Sequence, residues 1–504
     1  MADDSDTVAT PLLTSHEAKP AKPPSIDDAI ETYMGATGAR QLLRAMLLAV
    51  AWAFDAQQVF VSAFTDAEPQ WHCTGAAANC SPCALPTGAW EWDRPAVTSV
   101  VSEWALACGG PALVSLPASS FFAGCLVGGF LLTTLADTLL GRRKMLFLSL
   151  VTMSVAGVLT AFSPNVSLVG ASSLVLSTEL VGKRWRDTVS VAGFFFFFVG
   201  FMSLPALAYA LRDASWRTMY LYTSLPCLAY SVLLYFLVQE SPRWLLVRGR
   251  KQEAIETVRQ IVSLNGTASS FSMLDECAVE IDAVGAGDGG NGMFATLWSM
   301  WQRRWGFRRL AAIMTAGIGF GMVYYGMPLN VGNLGGSNLY LSVTYNALAE
   351  FPSSILSWLL MSRINRRISV IALTMVSGVC SLACVVIPEG TGLRMAAEVF
   401  SFFATCTAIN IILMYSIELF PTSVRNSAVG LVRQAAVLGG VVAPLLVAIG
   451  GYLSFGVFGV AVGGLGMFVA CLPETRGRRM SDTMEEEEEE EERSTPCPVL
   501  AKEN

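Results

Sequence analysis

The chain has 504 residues, of which 53% are hydrophobic and only 14% charged, where a soluble protein carries about 25% charged residues. With a mean hydropathy of +0.50, this composition excludes an ordinary soluble globular enzyme. The net charge of −7 resides in eight consecutive glutamates, Glu485 to Glu492; without them the chain carries +1, so the acidic balance says nothing about substrate.

Residues 1–42 are polar and Pro-rich, as in Lys19-Pro20-Ala21-Lys22-Pro23-Pro24. No apolar core follows a basic start, so the segment reads as a disordered cytosolic tail and not as a cleavable signal. Twelve apolar segments follow, at about 43–64, 113–136, 145–162, 165–182, 188–211, 216–238, 307–326, 337–361, 368–388, 393–416, 427–449 and 451–472. The fifth holds five consecutive phenylalanines, Phe194 to Phe198. Roughly 20 residues of helix cross the hydrocarbon, and a backbone in lipid must bond to itself, so each segment is predicted to be a helix.

Every second connection is basic: Arg142, Arg143 and Lys144 follow span 2, and Lys183, Arg184 and Arg186 follow span 4. Arg363, Arg366 and Arg367 follow span 8, Arg425 follows span 10, and Arg476, Arg478 and Arg479 follow span 12. The alternate connections hold only Arg94, Arg212 and Arg394, so both termini are expected in the cytosol. The chain then divides into a first six-helix half (43–238) and a second (307–472).

Two connections are long. Residues 65–112 are expected outside and contain Cys73, Cys80, Cys83, Cys108 and a glycosylation sequon at Asn79. Four exoplasmic cysteines suggest two disulfides, with three pairings open; the alternative is that some are free or bind metal. Residues 239–306 form a cytosolic linker with a flexible run, Gly285 to Gly292, and a sequon at Asn265 expected to stay unmodified. Residues 473–504 are expected to be an acidic cytosolic tail whose run Glu485 to Glu492 is unstructured, because like charges repel, with a docking tail as the alternative.

The two halves repeat each other. Glu179, with Arg186 seven positions on, matches Glu418 with Arg425 seven positions on. Glu240-Ser241-Pro242-Arg243 matches Pro473-Glu474-Thr475-Arg476. Asp137 with Gly141-Arg142-Arg143-Lys144 matches the weaker Arg363-Ile364-Asn365-Arg366-Arg367. Acids and arginines at helix ends form charge-assisted, bidentate pairs, and pairs made in only one conformation would act as a gate. The plainer role of the arginines is to set orientation.

Charges inside the spans are the candidate substrate contacts, since they are expensive in lipid. Asp55 lies mid-span 1 with Gln58 on the same face, and is read as a counter-ion or proton site; a helix–helix pair with Arg433 is the structural alternative. Glu350 lies mid-span 8 before Phe351-Pro352, Tyr324 and Tyr325 end span 7 on the exoplasmic side, and Arg433 lies early in span 11. Aromatic faces attract quaternary ammonium groups and arginine binds carboxylates. The plainer readings are an interfacial aromatic belt for the tyrosines and snorkelling for the arginine. Glu398 and Asn410 are weaker candidates. No phosphate-binding Gly-rich loop with Lys-Ser/Thr is present and the two histidines, His16 and His72, lack metal-ligand spacing, so neither ATP, a metal, a cofactor nor catalysis is expected. No basic patch points to nucleic acid.

The segment Asp137 to Lys144 resembles the loop motif of the major facilitator superfamily. Glu240-Ser241-Pro242-Arg243-Trp244-Leu245 and Pro473-Glu474-Thr475-Arg476-Gly477 are similar to its sugar and organic-ion branches, and Glu418-Leu419-Phe420-Pro421-Thr422-Ser423-Val424-Arg425-Asn426 to the organic-ion branch in particular. Phe54-Asp55-Ala56-Gln57-Gln58, Phe64-Thr65-Asp66-Ala67-Glu68-Pro69 and Met322-Val323-Tyr324-Tyr325-Gly326-Met327-Pro328-Leu329 resemble plant organic cation/carnitine transporters. The resemblance implies an all-α membrane protein of twelve helices in two halves. It implies a secondary carrier of organic cations or zwitterions such as carnitine, driven by protons or membrane potential, in the plasma membrane in preference to the vacuole. The alternatives are a sugar or other organic-solute carrier of the same superfamily, or a non-transporting sensor. One departure stands out: 52 positions separate Arg366 from Glu418, but only 37 separate Arg142 from Glu179, so the fourth helix or the loop before it is short.

Overall fold

In hydrocarbon a backbone has only its own carbonyls to bond to, and the apolar segments of this chain close their hydrogen bonds as helices. The computed structural model describes residues 46–74, 90–135, 141–165, 186–240, 293–334, 338–421, 424–476 and 484–494, with a few isolated positions besides. Among these residues ten helices are long and apolar enough to cross a membrane.

The first set of helices comprises α1 (Ala51–Phe60, continued by Ser62–Thr65), α2 (Pro111–Leu135), α3 (Gly141–Ala161), α4 (Arg186–Ala210) and α5 (Trp216–Leu237). The predicted fourth span falls between α3 and α4, beyond residue 165 and outside the described residues, as do Asn79 and the N-terminal tail. A short helix α6 (Met293–Gln302) ends the linker and was not foreseen. The second set comprises α7 (Arg304–Asn330), α8 (Leu339–Arg363), α9 (Arg366–Val386), α10 (Gly392–Leu419), α11 (Arg425–Ile449) and α12 (Gly451–Gly466). Helix α7 runs one turn past the predicted end of its span, which draws Tyr324 and Tyr325 into the helix interior and away from its exit.

Helix packing carries the internal repeat into three dimensions. Helix α3 lies along α5 as α9 lies along α12, and α1 along α4 as α7 along α11. The first set meets the second along two seams, α2 on α11 and α4 on α8. The contacts are close: a Cβ at Gly200 would overlap the backbone of Ala53, and one at Gly321 the backbone of Ala436. Helices in lipid associate through such small-residue contacts, because no hydrophobic effect drives them together.

Helix α8 is built inside out. Ser342, Asn346, Glu350, Ser353 and Ser357, spaced by three or four, are buried on one face, while Leu341, Leu348, Ile355 and Trp358 are exposed on the other. That pattern suits a helix whose outer solvent is lipid.

Between α1 and α2 a two-stranded antiparallel hairpin pairs β1 (Trp71–Cys73) with β2 (Trp90–Trp92). Of the pairings left open by the sequence, Cys83–Cys108 is formed, and Cys73 is disulfide-bonded as well. Cys80 lies outside the described residues.

The acidic tail corrects the sequence reading. The glutamate run is not unstructured: Met484–Ser494 forms helix α13. Its charges meet three arginines around the start of α7. Glu485 and Glu488 pair with Arg303 at 2.5 and 2.9 Å, Glu487 and Glu491 with Arg309 at 2.6 and 3.0 Å, and Glu491 also with Arg308 at 3.0 Å. Arg309 is only 2% exposed and also donates to the Leu419 carbonyl at 3.2 Å. Self-repulsion is the rule for an isolated run; here guanidinium groups within 3.0 Å cancel it. Replacing Glu487 by Gln leaves a buried arginine short of a partner and should destabilise the protein by roughly 1–3 kcal/mol. Thermal melting of the purified protein tests this; an unchanged midpoint would mean that α13 adds nothing to the fold.

Candidate functional site

The centre of the molecule is an aromatic cluster that bridges the two sets of helices. Phe60 of α1 stacks on Phe201 of α4 at 4.0 Å and meets Tyr324 of α7 edge-on at 6.1 Å. Tyr324 stacks on Phe402 of α10 at 5.8 Å and touches Tyr325, which in turn meets Phe122 of α2 at 4.6 Å. The tyrosines therefore line the interface between halves and do not form a belt at the membrane surface.

One carboxylate sits in this aromatic surround. Glu350 of α8 is 6% exposed. It accepts a hydrogen bond from the Tyr324 hydroxyl at 3.2 Å on one oxygen and from the Cys406 thiol at 3.2 Å on the other. Its own carbonyl accepts from the Ser353 and Ser354 hydroxyls. A carboxylate among aromatic faces is chemistry for a cation: the acid supplies charge and the rings supply π attraction without competing water. Phe60, Phe122, Phe201, Phe402 and Cys406 were not singled out as site residues from sequence. The i, i+4 spacing of Phe402 and Cys406 puts both on one face of α10, but an apolar span offers many such pairs.

The other predicted contacts are distributed along α1. Gln58 is buried and reaches Ser224 of α5 at 3.5 Å, and Gln57 donates to Ser203 of α4 at 2.7 Å. Asp55 is half-buried one turn before Gln58. The guanidinium carbon of Arg433 of α11 stands 5.5 Å from the ring centre of Trp52, three residues before Asp55. The structure thus brings Tyr324, Tyr325 and Glu350 together, and sets Asp55 and Arg433 around Trp52. Asn410 donates to Ser354 at 3.5 Å.

The predicted gating residues fall at the basic end of the bundle. Arg366 makes a two-pronged pair with Glu418, both contacts at 3.1 Å. Glu474 accepts the backbone N–H groups of Arg366 and Arg367 at 3.0 and 3.2 Å, and Glu240 accepts that of Arg143 at 3.3 Å. These glutamates cap the first turns of α9 and α3, where the helix dipole favours an anion. Arg476 donates to the Arg363 carbonyl at 2.6 Å, Arg143 to the Tyr235 carbonyl, and Arg425 to the Phe420 carbonyl at 3.2 Å. Each of these contacts stays within one set of helices. Asp137, Glu179 and Arg243 lie outside the described residues, and of Arg142 and Arg186 only the backbone is described.

At the opposite end Asp66 follows α1 and accepts the Thr65 hydroxyl at 3.0 Å. Burial pushes its carboxyl up from 3.8 to about 7. A carboxyl raised in the folded state stays protonated while its unfolded counterpart ionises. Folded stability is therefore lost as pH rises from about 4 to about 7, and the loss is complete above that. Asp66→Asn should melt with the wild type at pH 4 and above it at pH 8; equal differences at both pH values would mean that Asp66 ionises freely.

The family model described as "Sugar (and other) transporter" matches residues 183–486. Organic cation/carnitine transporter 2 of Arabidopsis thaliana is 44% identical over 519 residues, covering 96% of this chain and 97% of its own length. Organic cation/carnitine transporter 3 of the same plant is 45% identical over 94% of this chain and 96% of its own. Solute carrier family 22 member 2 of Homo sapiens is 31% identical over 80% of this chain and 74% of its own length. Among solved structures, the inward open xylose transporter XylE from E. coli matches with a TM-score of 0.56 at 17% identity, over 87% of this chain and 97% of that one, a likeness of fold.

Proposed function

The chain belongs to the organic cation/carnitine transporter family of the major facilitator superfamily and is a multi-pass membrane transporter, and on that premise we propose that it carries small organic cations past Glu350. The observation that carries the proposal is the buried Glu350 carboxylate, held by Tyr324 and Cys406 inside a surround of Phe60, Tyr325 and Phe402. A quaternary or protonated amine displaces the tyrosine hydroxyl from the acid and keeps the ring faces as its walls. Arg433, beside Trp52 and Asp55, serves the carboxylate of a zwitterion such as carnitine, which binds with its ammonium toward an acid.

Transport proceeds by alternating access. The two sets of helices rock about the seams α2–α11 and α4–α8 and open the cluster first to one side and then to the other. The Arg366–Glu418 pair and the glutamate caps stiffen the basic end of each half so that each moves as a body. With the basic loops and both termini in the cytosol, an inside-negative potential drives cation entry. At 100 mV one charge gains about 2.3 kcal/mol, which supports roughly 50-fold accumulation, and a proton gradient adds to it.

Uptake of labelled tetraethylammonium and carnitine into a heterologous cell, at two external pH values, tests the reading. Glu350→Gln and Asp55→Asn should each lower uptake of tetraethylammonium by about tenfold or more, the loss of about 1.4 kcal/mol of charge attraction. Arg433→Gln should lower carnitine uptake while leaving tetraethylammonium nearly unchanged. Wild-type uptake of both compounds by Glu350→Gln would remove Glu350 from the substrate path. A wild-type chain that reaches the membrane and moves a sugar but neither cation would favour the sugar branch of the superfamily.

A further inference from the structure

A second buried acid lies away from the aromatic cluster, between α8 and α10. Glu398 and Asn346 are both 0% exposed, and the Asn346 amide donates to Glu398 Oε1 at 2.9 Å. That bond leaves two acceptors, Asn346 Oδ1 and Glu398 Oε2, with no hydrogen-bond donor among the described residues. Two orphaned acceptors on two residues that already share one bond is an unstable arrangement for a carboxylate. A single proton on Glu398 Oε2 resolves both at once: the acid O–H donates to Asn346 Oδ1 while the amide N–H donates to Oε1, a closed acid–amide pair.

The charges nearby explain how that proton would be held and released. Arg394, one turn earlier on α10, is also 0% exposed, and its guanidinium lies between the rings of Tyr452 and Phe455 at 5.1 and 5.3 Å. Its Nη1 stands 3.2 Å from Oε1 of the half-exposed Glu389, within ion-pair range, yet none of its three nitrogens makes a hydrogen bond among the described residues. Arg394 thus stands one turn from Glu398 along α10 and pairs with Glu389. The remaining titratable groups around Glu398 are Glu350 on α8, Cys380 and Cys384 on α9, Cys406 on its own helix and Tyr452 on α12; Arg433 of α11 is at Trp52 instead. None of them offers Glu398 a second positive charge.

We propose that Glu398, paired with Asn346 and flanked by Arg394, is a proton-binding site of the second half, separate from the cation site at Glu350. In the structure described here the acid is neutral and Arg394 pairs with Glu389. When Arg394 turns one helical step toward Glu398, the acid gives its proton to solvent at the Glu389 end, the carboxylate takes the guanidinium, and Glu389 is left to water. One proton leaves and no other bond is made or broken. The protonation itself stands on the hydrogen-bond geometry alone; its use to drive uptake rests on the carrier reading above.

Infrared spectroscopy of the purified full-length protein tests the site without transport. At pH 8, where Asp66 is ionised, the wild type should show a protonated-carboxyl C=O band that shifts in D2O. Glu398→Gln, which imitates the neutral acid and keeps the pairing with Asn346, should lose that band, and Glu350→Gln should not. Asn346→Leu should move the band to higher wavenumber as the acid loses its amide partner. A spectrum unchanged by Glu398→Gln overturns the proposal. In liposomes with an imposed pH gradient, Glu398→Gln should still exchange labelled tetraethylammonium across the membrane but no longer concentrate it. Gradient-driven accumulation equal to the wild type would overturn the coupling role. A wild type that moves no cation would defeat the carrier reading and leave the infrared result to decide the site.

Discussion

A polar group placed in hydrocarbon must find its partner inside the protein, and the arrangement of the second set of helices follows from that requirement. Helix α8 turns Ser342, Asn346, Glu350, Ser353 and Ser357 inward and presents its apolar residues to lipid. Helix α10 answers with Arg394, Glu398, Ser401 and Thr405 at intervals of three and four, so that they share one face. Ser401 and Thr405 close a hydroxyl network with Ser377 and Ser381 of α9, at 2.7 to 3.0 Å. A polar seam thus runs through a bundle whose outside is apolar. The seam fixes the rotation of each helix more tightly than apolar packing would, since a rotated helix would strand a buried hydroxyl or carboxylate.

The same requirement explains why the two acids of this seam differ in setting. Glu350 has a hydrogen-bond donor on each oxygen and aromatic rings around it, which suits a group that exchanges its partners for a ligand. Glu398 has one donor, one orphaned oxygen and a neighbour whose own oxygen is orphaned. The acids are separated by about two turns of α10, counting from Glu398 to the level of Cys406 and its bond to Glu350, and by a single turn of α8 through Asn346.

Outside the hydrocarbon, charges organise the ends of the bundle. Glu240 and Glu474 occupy equivalent places in the two halves and cap equivalent helices, so the repeated acid in the sequence has a repeated mechanical role. Arg366 and Glu418 add a bidentate pair in the second half, and the glutamates of α13 are drawn onto Arg303, Arg308 and Arg309 at the foot of α7. A tail thereby becomes part of the second half, tied to the helix that carries Tyr324 and Tyr325.

Much of this was legible in the chain. Hydrophobic runs long enough to span a bilayer give helices whatever their neighbours, because a lipid-exposed backbone has no other way to bond; the described spans follow within a few residues. The repeated acid–arginine signals announced the two-fold repeat, and a lone charge amid apolar residues marked Glu350 as a group that must be buried inside the bundle, since few positions in a membrane tolerate one. What the sequence left undecided was every question of partnership. Whether Cys83 bonds Cys108, whether a glutamate run repels itself or meets three arginines, whether Glu240 pairs with a side chain or caps a helix, and whether Tyr324 faces a headgroup or Glu350 all depend on groups distant in the chain. Local pattern determines which residues are costly to bury, because that is a property of each side chain and its neighbours on one helix. Only the tertiary structure decides how the cost is met, because the compensating donor or charge stands on another helix, 52 positions away for Asn346 and Glu398 and 178 for Arg309 and Glu487.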